Sequence, residues 1–443
     1  MRRISGRIMT LAMGLSLLLA ILASCGAGTT GGGNTGNGTP TGSTIIKVAS
    51  DFPVSGKDTS SGKPAENGAH MAVDEANASN AVPGYKLVFV PKDDVGPSGL
   101  HDPSVGQQLV RGLIGDALVA GIVGPFNSSV AKAEMPITNK APIAQISPAN
   151  TNTCLTQEGA DKQCGGANDI VSTVRPTGKV TYFRIATTDS HQGPALADWI
   201  TQNFPGKYKS VYVIDDAETY GIGIADTFQA QWTKLGLTVL GRSSEPSTTT
   251  SYVSLLTQIA SKHPDLIYFG GLDSTGGILI RQQMSQVPSL KGITFAGGDG
   301  LVTPTFASTV GKPSAPVFAT VAVVDTTVSS EAASFRQKYS QTYSSLNVYS
   351  AAAYDCMKIL INAIGVAIKN GAKVPADSND GATAKTFRQA VIDAIAKTDY
   401  NGVTGHHTFD QNGDTTNRFI SVYSLDLNAQ GKPDWLYKKG VTE

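Results

Sequence analysis

The stretch that decides the fold is residues 117–130, which read Ala-Leu-Val-Ala-Gly-Ile-Val-Gly-Pro-Phe-Asn-Ser-Ser-Val. Its first seven residues form a continuous apolar run, typical of a strand buried on both faces of a parallel sheet. The glycine and proline end that strand, and we predict a helix that opens at Val130 with Ser128 or Ser129 as its N-cap. The free backbone N–H groups at such a helix start can bind an anion.

Outward from this stretch, short apolar strands alternate with helical patterns. Further strands are predicted at Ile45–Ala49, Tyr85–Val90, Ile143–Ile146, Val211–Ile214, Leu266–Phe269 and Ile293–Ala296. Helices are predicted at Ala65–Ala76, Val105–Ile114, Ile224–Leu235, Val253–Ser261 and Gly277–Met284. This alternation predicts an α/β fold whose parallel sheets are covered by helices on both faces. The alternation extends over about 400 residues, which is more than a single hydrophobic core usually serves, so two α/β lobes are expected.

The C-terminal part predicts two long helices and then two strands. The helices are expected at Val348–Ile368 and Thr383–Ala396, and the strands at Gly405–Asp414 and Phe419–Leu425. The acidic run Asp410–Asp414 resembles the start of a calcium loop. It lacks the glycine at the sixth position and the glutamate at the twelfth, so a hairpin turn is the better interpretation.

The first 43 residues indicate export rather than folding. A basic head with Arg2, Arg3 and Arg7 precedes an apolar run, Ile8–Leu22, that is too short for a comfortable membrane span. The ending Leu-Ala-Ser-Cys at 22–25 resembles the lipobox of bacterial lipoproteins, in which Cys25 would be acylated and become the new N-terminus. An ordinary signal peptide with an incidental cysteine is the alternative. Residues 25–43 are rich in Gly, Thr and Asn and are expected to form a flexible tether.

The charge balance of the chain narrows the classes of partner. The chain has 35 basic and 35 acidic residues, and 32 basic residues remain without Arg2, Arg3 and Arg7, so nucleic acid is not an expected partner.

An exported protein meets oxidising conditions, and Cys154 and Cys164 lie ten residues apart. We therefore expect a disulfide between them, with two free thiols as the alternative. Cys356 lies in an apolar helix and is expected to be a buried small hydrophobe.

No motif of catalysis or metal binding stands out, so we expect neither an enzyme nor a cofactor. The chain lacks a nucleophile elbow, a Walker motif and the zinc-protease pattern. His406 and His407 are adjacent and would point to opposite faces of a strand, and the other histidines are expected on the surface or in loops. Asp93-Asp94 and Asp215-Asp216 follow strands at the edge where α/β sheets bind ligands, although turn formation explains both pairs equally well.

A second polar loop, Ile146–Asn152, follows the strand after the one that opened this section. Its hydroxyls and N–H groups, beside those at Ser128, could clamp one carboxylate; helix capping and turn chemistry are the simpler explanation.

Segments spread over the whole chain resemble one family in the same order. They are Ile46–Val48, Pro53–Gly56, Asn67–Ala69, Ala72–Asn77, Val123–Pro125, Ile146–Ala149, Phe183-Arg184, Asp189–Ala195, Asp215-Asp216, Tyr220-Gly221, Asp265–Gly271, Gly297–Gly300, Ala353–Asp355 and Phe409-Asp410. The chain resembles type I periplasmic binding proteins over 45–443, and more narrowly the branched-chain (leucine/isoleucine/valine) substrate-binding proteins of ABC transporters.

The resemblance implies two Rossmann-like lobes joined by three crossings, with the ligand between them. Lobe 1 would comprise 45–185 and 321–407, and lobe 2 would comprise 186–320 and 408–443. By this resemblance Ser128 and the segment Ala149–Thr151 hold a ligand carboxylate, Asp299 meets the ammonium, and Tyr220 closes over the ligand. Ser61 and Leu272 stand where the family often has aromatics, which weakens the match to leucine, isoleucine or valine. The full set of expected ligand contacts is Ser61, Phe126, Asn127, Ser128, Ala149, Asn150, Thr151, Tyr220, Leu272 and Asp299.

The function expected from the resemblance is that of a monomeric, membrane-anchored solute-binding lipoprotein. It would capture an amino acid or similar small zwitterion and deliver it to the permease of an ABC importer, at the cell surface or in the periplasm. Binding of amides, urea or small aromatic acids on the same fold is the first alternative. A receptor or sensor domain is the second.

Overall fold

The first of two large sheets is wholly parallel. The structure, a computed structural model, describes residues 44–158, 164, 170–326 and 329–442, all within the compact unit Gly42–Glu443. The predicted signal peptide (1–24), the predicted tether (25–43) and Cys25 lie outside the described residues. The strand order is β2-β1-β3-β4-β5, with strands β1 Ile45–Phe52, β2 Lys86–Asp93, β3 Val119–Val123, β4 Ala144–Ser147 and β5 Tyr182–Arg184.

Seven helices accompany this sheet, and together they form what we call the first lobe. They are α1 Thr59–Ala78, α2 Pro103–Gly115, α3 Ser128–Lys140, α4 Val171–Val174, α10 Ala333–Thr342, α11 Val348–Lys369 and α12 Gly381–Ile395. Helix α11 packs on α1, β3 and β4. By length and composition α11 could cross a membrane, but most of it is buried in the protein, as expected of a core helix. A short pair, β11 Tyr400–Gly402 and β12 Gly405–His407, follows α12.

The second lobe contains the larger sheet, in the order β14-β13-β10-β9-β8-β6-β7. Its strands are β6 Ser210–Asp215, β7 Thr238–Ser244, β8 Leu266–Gly270, β9 Thr294–Gly297, β10 Val317–Val321, β13 Phe419–Leu427 and β14 Pro433–Thr442. Its helices are α5 Asp189–Asn203, α6 Thr219–Lys234, α7 Val253–Ala260, α8 Ile278–Met284 and α9 Pro304–Val310.

The two sheets differ from the prediction in one respect. Both were expected to be parallel, but β13 runs antiparallel to β10, and β14 antiparallel to β13. The segment 408–414 is a turn rather than part of a strand, because the Asp410 carboxylate accepts the N–H groups of Asn412 and Asp414 at 2.8 and 3.0 Å. Apolar clusters cover both faces of each sheet, as the continuous apolar strands require.

The chain passes between the lobes three times, after β5, after β10 and after β12. Arg184, the last residue of β5, is fully buried where the first and third passages meet. Its guanidinium donates to Asp414 Oδ1 at 2.7 Å and to the carbonyl oxygens of Asn152 and Asn150 at 2.7 and 3.3 Å. Burial alone would raise the pKa of Asp414, but the charge and hydrogen bonds of Arg184 hold that pKa below its usual value.

We expect Asp414→Asn to destabilise the protein by about 3–5 kcal/mol, because it leaves the Arg184 charge buried without a counter-charge. The lowered pKa of Asp414 means that the wild-type contribution is present above about pH 4 and is lost as the pH falls further. Urea unfolding at neutral and acidic pH measures both effects. Asp399→Asn, which breaks the exposed pair with His406, is the control and should cost under about 1 kcal/mol. Equal stability of the two variants would contradict the prediction.

Candidate functional site

A narrow cavity of about 40 Å3 lies between the two lobes, at the carboxyl ends of their parallel strands. This is where open α/β sheets bind ligands. The lining residues from the first lobe are Asp58, Ser61, His101, Phe126, Asn127, Ser128, Ser129, Ala149 and Tyr349. Those from the second lobe are Asp216, Glu218, Tyr220, Leu272, Asp273, Asp299 and Gly300.

Asp299 follows β9, and its carboxylate accepts three side-chain hydrogen bonds. Its Oδ1 accepts from the Tyr220 hydroxyl at 2.8 Å and from the Gln192 amide at 2.9 Å, and its Oδ2 accepts from the Tyr349 hydroxyl. Burial raises the pKa of Asp299, and these three hydrogen bonds act against that rise. The arrangement fixes a desolvated carboxylate that can still accept a hydrogen bond, since a carboxylate has about four acceptor positions.

Tyr349 lies in the first turn of α11 and was not predicted. The Asn347 side chain caps this helix, with its Oδ1 accepting the N–H groups of Tyr349 and Ser350 at 2.9 and 3.0 Å. The Tyr349 ring meets the Phe126 ring edge-on, with centroids 5.1 Å apart. Since α11 belongs to the first lobe and Asp299 to the second, the Tyr349 hydroxyl joins the two walls of the cavity.

The start of α3 forms the opposite wall. Gly124, before it, has a φ of +128°, and a Cβ there would lie 2.4 Å from the Asp51 carbonyl oxygen, so only glycine fits this turn. The prediction of Ser128 or Ser129 as N-cap is wrong: the N-cap is Asn127, and its side chain makes no capping hydrogen bond. Asn127 Oδ1 is buried without a partner in the described structure, and the first N–H groups of α3 have no helical acceptor.

The loop after β4 meets the cavity through Ala149 alone. Asn150 and Thr151, expected to contact the ligand, are buried behind it and do not line the cavity. Asn150 Nδ2 donates to the Phe126 carbonyl at 2.7 Å, and the Thr151 carbonyl accepts from the Asp189 N–H at 2.8 Å. Both residues therefore hold the wall in place, Asn150 through its side-chain amide and Thr151 through its backbone carbonyl.

The cavity is lined by three further residues that the family resemblance implied as ligand contacts, Tyr220, Ser61 and Leu272. Tyr220 is the second residue of α6, and its hydroxyl also accepts the Gly300 N–H at 3.2 Å. A Cβ at Gly298 would lie 2.3 Å from this hydroxyl, so the close approach of Tyr220 to the loop after β9 requires glycine.

A charged group that sequence reasoning missed lies on the remaining side. His101 was expected on the surface or in a loop; it does lie in a loop, but it is buried and lines the cavity. Its Nδ1 is 2.9 Å from Asp58 Oδ2, and its Nε2 is 2.8 Å from Glu218 Oε2. These partners are far apart in sequence, so no local pattern could have indicated them.

The lining of the cavity contains more carboxylates than basic groups. It has one basic side chain, His101, and five acidic ones: Asp58, Asp216, Glu218, Asp273 and Asp299. Burial raises the pKa of Asp216 and that of Asp273 to about 7. Such a lining suits a solute that brings hydrogen-bond donors or a positive charge. No group of three or more His, Cys, Asp or Glu is placed to hold a metal in the part of the chain that the structure describes.

Comparison with known proteins identifies the family. The model of the periplasmic binding protein family matches residues 45–432, so the chain belongs to that family. An amino acid binding protein of Pseudomonas aeruginosa is 30% identical over 271 residues, a match that covers 61% of this chain and 64% of that protein. The Leu/Ile/Val-binding protein BraC3 of Rhizobium johnstonii is 26% identical over 381 residues, covering 86% and 92%. The leucine-binding protein LivK of Thermotoga maritima has a similar fold, with a TM-score of 0.72 at 22% identity over 90% of this chain and 99% of that one.

Cys154 and Cys164 are joined by a disulfide beside the loop after β4, and Cys356 is free and buried, so both predictions for the cysteines are confirmed.

We expect alkylation of the denatured, unreduced protein to modify Cys356 and to spare Cys154 and Cys164. Peptide mass spectrometry with and without reductant measures this. Alkylation of either residue of the pair before reduction would contradict the bond.

Proposed function

We propose that the protein captures an amino acid, branched-chain or similarly small, between its two lobes and delivers it to an ABC importer. The observation that carries the proposal is the placement of two complementary groups on opposite walls of one cavity. A buried carboxylate, Asp299, lies on the second lobe, and the N-terminus of α3 lies on the first. The printed names of the relatives, amino acid binding and Leu/Ile/Val-binding, support this class of solute.

In this proposal the α-carboxylate binds at the first lobe. Ser128 and the free N–H groups at the start of α3 donate to it, and Ala149 borders it. Asn150 and Thr151 support this wall from behind. The ammonium binds Asp299, Tyr220 covers it, and the side chain lies among Ser61, Phe126, Asn127 and Leu272.

Binding and closure are coupled because the two charged ends of the solute meet different lobes. Charge-assisted hydrogen bonds contribute about 1.5–3 kcal/mol each when they are desolvated. Four or five of them, less the costs of ordering and closure, are compatible with about −8 kcal/mol and a micromolar Kd. The solute therefore stabilises the closed form, which is the state that a permease can distinguish. The protein acts in this scheme as a monomer that binds without turnover.

One observation favours the alternative of a neutral amide, urea or a small aromatic acid. Asp299 already accepts hydrogen bonds from three uncharged donors, Tyr220, Gln192 and Tyr349, so its surroundings do not demand an ammonium. A solute-binding screen that includes amides and aromatic acids beside amino acids separates these classes. A receptor or sensor on the same scaffold would bind the same solute without a permease.

The proposal includes export and a lipid anchor at Cys25. The basic head, the apolar run and the Leu-Ala-Ser-Cys ending at 22–25 support it, as does the Gly-rich tether up to residue 43. An anchored protein would remain near its permease in the periplasm or at the cell surface.

We expect Asp299→Asn to weaken binding of L-leucine, L-isoleucine or L-valine at least about thirtyfold, because the ammonium would be buried opposite an uncharged group. Ser128→Ala should have a smaller effect, since backbone N–H groups still hold the carboxylate. Calorimetry measures both, with the exposed substitution Asp74→Asn as the matched control. Unchanged affinity in folded Asp299→Asn would place the ammonium elsewhere, and tight binding of an uncharged amide would favour the alternative.

We expect Cys25→Ala to move the protein from the membrane fraction to the soluble fraction or to leave its signal uncleaved. The physical reason is that the thiol is the acceptor of the lipid. Cell fractionation with intact mass analysis measures the outcome, and Asn34→Ser, a substitution in the tether that leaves residues 22–25 unchanged, is the control. A lipid-modified Cys25→Ala protein would show that the anchor assignment is wrong.

A further inference from the structure

We propose that His101 is a positioning residue that makes closure of the cleft depend on protonation of its imidazole ring. The inference rests on the proposed function, because closure is what would retain a captured solute. It does not depend on which solute is bound. Five side chains, Asp58, His101, Ser129, Glu218 and Ser274, form what we call the cleft clasp.

The clasp crosses from one lobe to the other at His101. Asp58 and His101 both belong to the first lobe, and they share two contacts: His101 Nδ1 and the His101 N–H lie 2.9 and 3.1 Å from Asp58 Oδ2. Glu218 is the N-cap of α6 in the second lobe, 2.8 Å from His101 Nε2. If the lobes separate, His101 keeps Asp58 and loses Glu218.

The contacts of the ring require both nitrogens to donate. An ionised carboxylate can only accept, and a neutral imidazole carries a single N–H. With one ring nitrogen facing Asp58 and the other facing Glu218, only the imidazolium satisfies both partners. Loss of the proton would turn one of the two contacts into a lone pair against a carboxylate oxygen, in a place that is almost closed to water.

Two hydroxyls cross the cleft beside the ring and do not titrate in this range. Ser274 Oγ, from the second lobe, donates to Asp58 Oδ1 at 2.5 Å, and Ser129 Oγ, from the first lobe, donates to Glu218 Oε2 at 3.2 Å. These bonds bring the two carboxylates to within reach of the same ring. Without a cation between them, Asp58 and Glu218 would repel each other across the cleft.

The direction of the pH effect follows from the charges that face His101. Burial lowers the pKa of His101, but Asp58 and Glu218 outweigh it and raise that pKa to about 10. Asp94 is the further acid that faces the ring, and burial raises its pKa well above the usual value. On opening, His101 loses Glu218 and regains water, so its pKa falls toward the ordinary value near 6.5.

Closure therefore takes up a proton at pH values between the pKa of His101 in the open form and its pKa in the closed form. The charged clasp favours the closed form fully below the pKa of the open form, and this preference is lost as the pH rises toward about 10. Within the window, the ratio of closed to open molecules should fall by up to about tenfold per pH unit. A purely structural His101 would change this ratio by the same factor at every pH.

The experiment follows the distance between the lobes in the full chain without solute. Fluorophores at Ser98→Cys and Thr248→Cys, two exposed sites on the first and the second lobe, report closure by energy transfer. We expect the closed fraction of this doubly labelled protein to fall between about pH 6.5 and about pH 9, and His101→Gln to lose most of that slope. His406→Gln, which alters an exposed histidine outside the cavity, should keep the slope.

A second measurement uses L-leucine as the probe at about pH 6.5 and about pH 8.5. The free amino acid titrates equally in all measurements, and neither Asp216 nor Asp273 owes its raised pKa to His101, so the difference between wild type and His101→Gln isolates the ring. Glu218→Gln should also flatten the profile, because it removes the charge that is lost on opening. Equal slopes in wild type and His101→Gln, or a uniform loss at every pH, would overturn the proposal. Failure of L-leucine to bind while the distance slope persists would count against the proposed solute and leave the clasp supported.

Discussion

The buried ion pair of Arg184 and Asp414 is the interaction on which the site depends. Arg184 ends β5, where the chain first leaves the first lobe, and Asp414 lies where it returns to the second lobe for the last time. The same guanidinium holds the carbonyl oxygens of Asn150 and Asn152, so the loop that borders the cavity is attached to the passages between the lobes. Removal of either charge would leave the other buried, with its hydrogen-bond partners unmatched.

The proposed closure requires two walls that can move without losing their own shape. Two polar groups of the walls are held within their own lobe: Asn150 by the Phe126 carbonyl, and Asp216 by the Thr275 hydroxyl at 2.7 Å. The contacts between the lobes are few and specific, such as the Asn152 amide on the Thr219 carbonyl at 2.6 Å. Separation of the lobes breaks only this second set, whose groups can then form hydrogen bonds with water.

The sequence predicted what has a local signal. The strand now seen as β3 and the helix α3 follow from a continuous apolar run and a turn, because burial on both faces imposes that composition. The edge strand β14 was missed because Asp434, Lys438 and Lys439 interrupt its apolar pattern. The N-cap of α3 was placed one or two residues too late, since Asn127 and the two serines after it are all good caps. His101 and Tyr349 were missed because their partners lie 117 and 50 residues away.

The number of contacts between the lobes limits how far a solute can shift the equilibrium from the open to the closed form. A binding protein whose empty form is already closed gains nothing from further bonds across the cleft, because a solute shifts the equilibrium only through what it adds. Tyr349 joins Asp299 across the walls of the cavity, and the clasp joins Asp58 to Glu218 through His101. The closed empty form must therefore be opposed by something comparable. The excess of carboxylates in the cavity would supply that opposition, since closing would bring Asp299, Asp216 and Asp273 into a space with little water. A solute with an ammonium group relieves this cost only in the closed form, so the acidic lining that destabilises the empty cavity is also what would make closure respond to the solute.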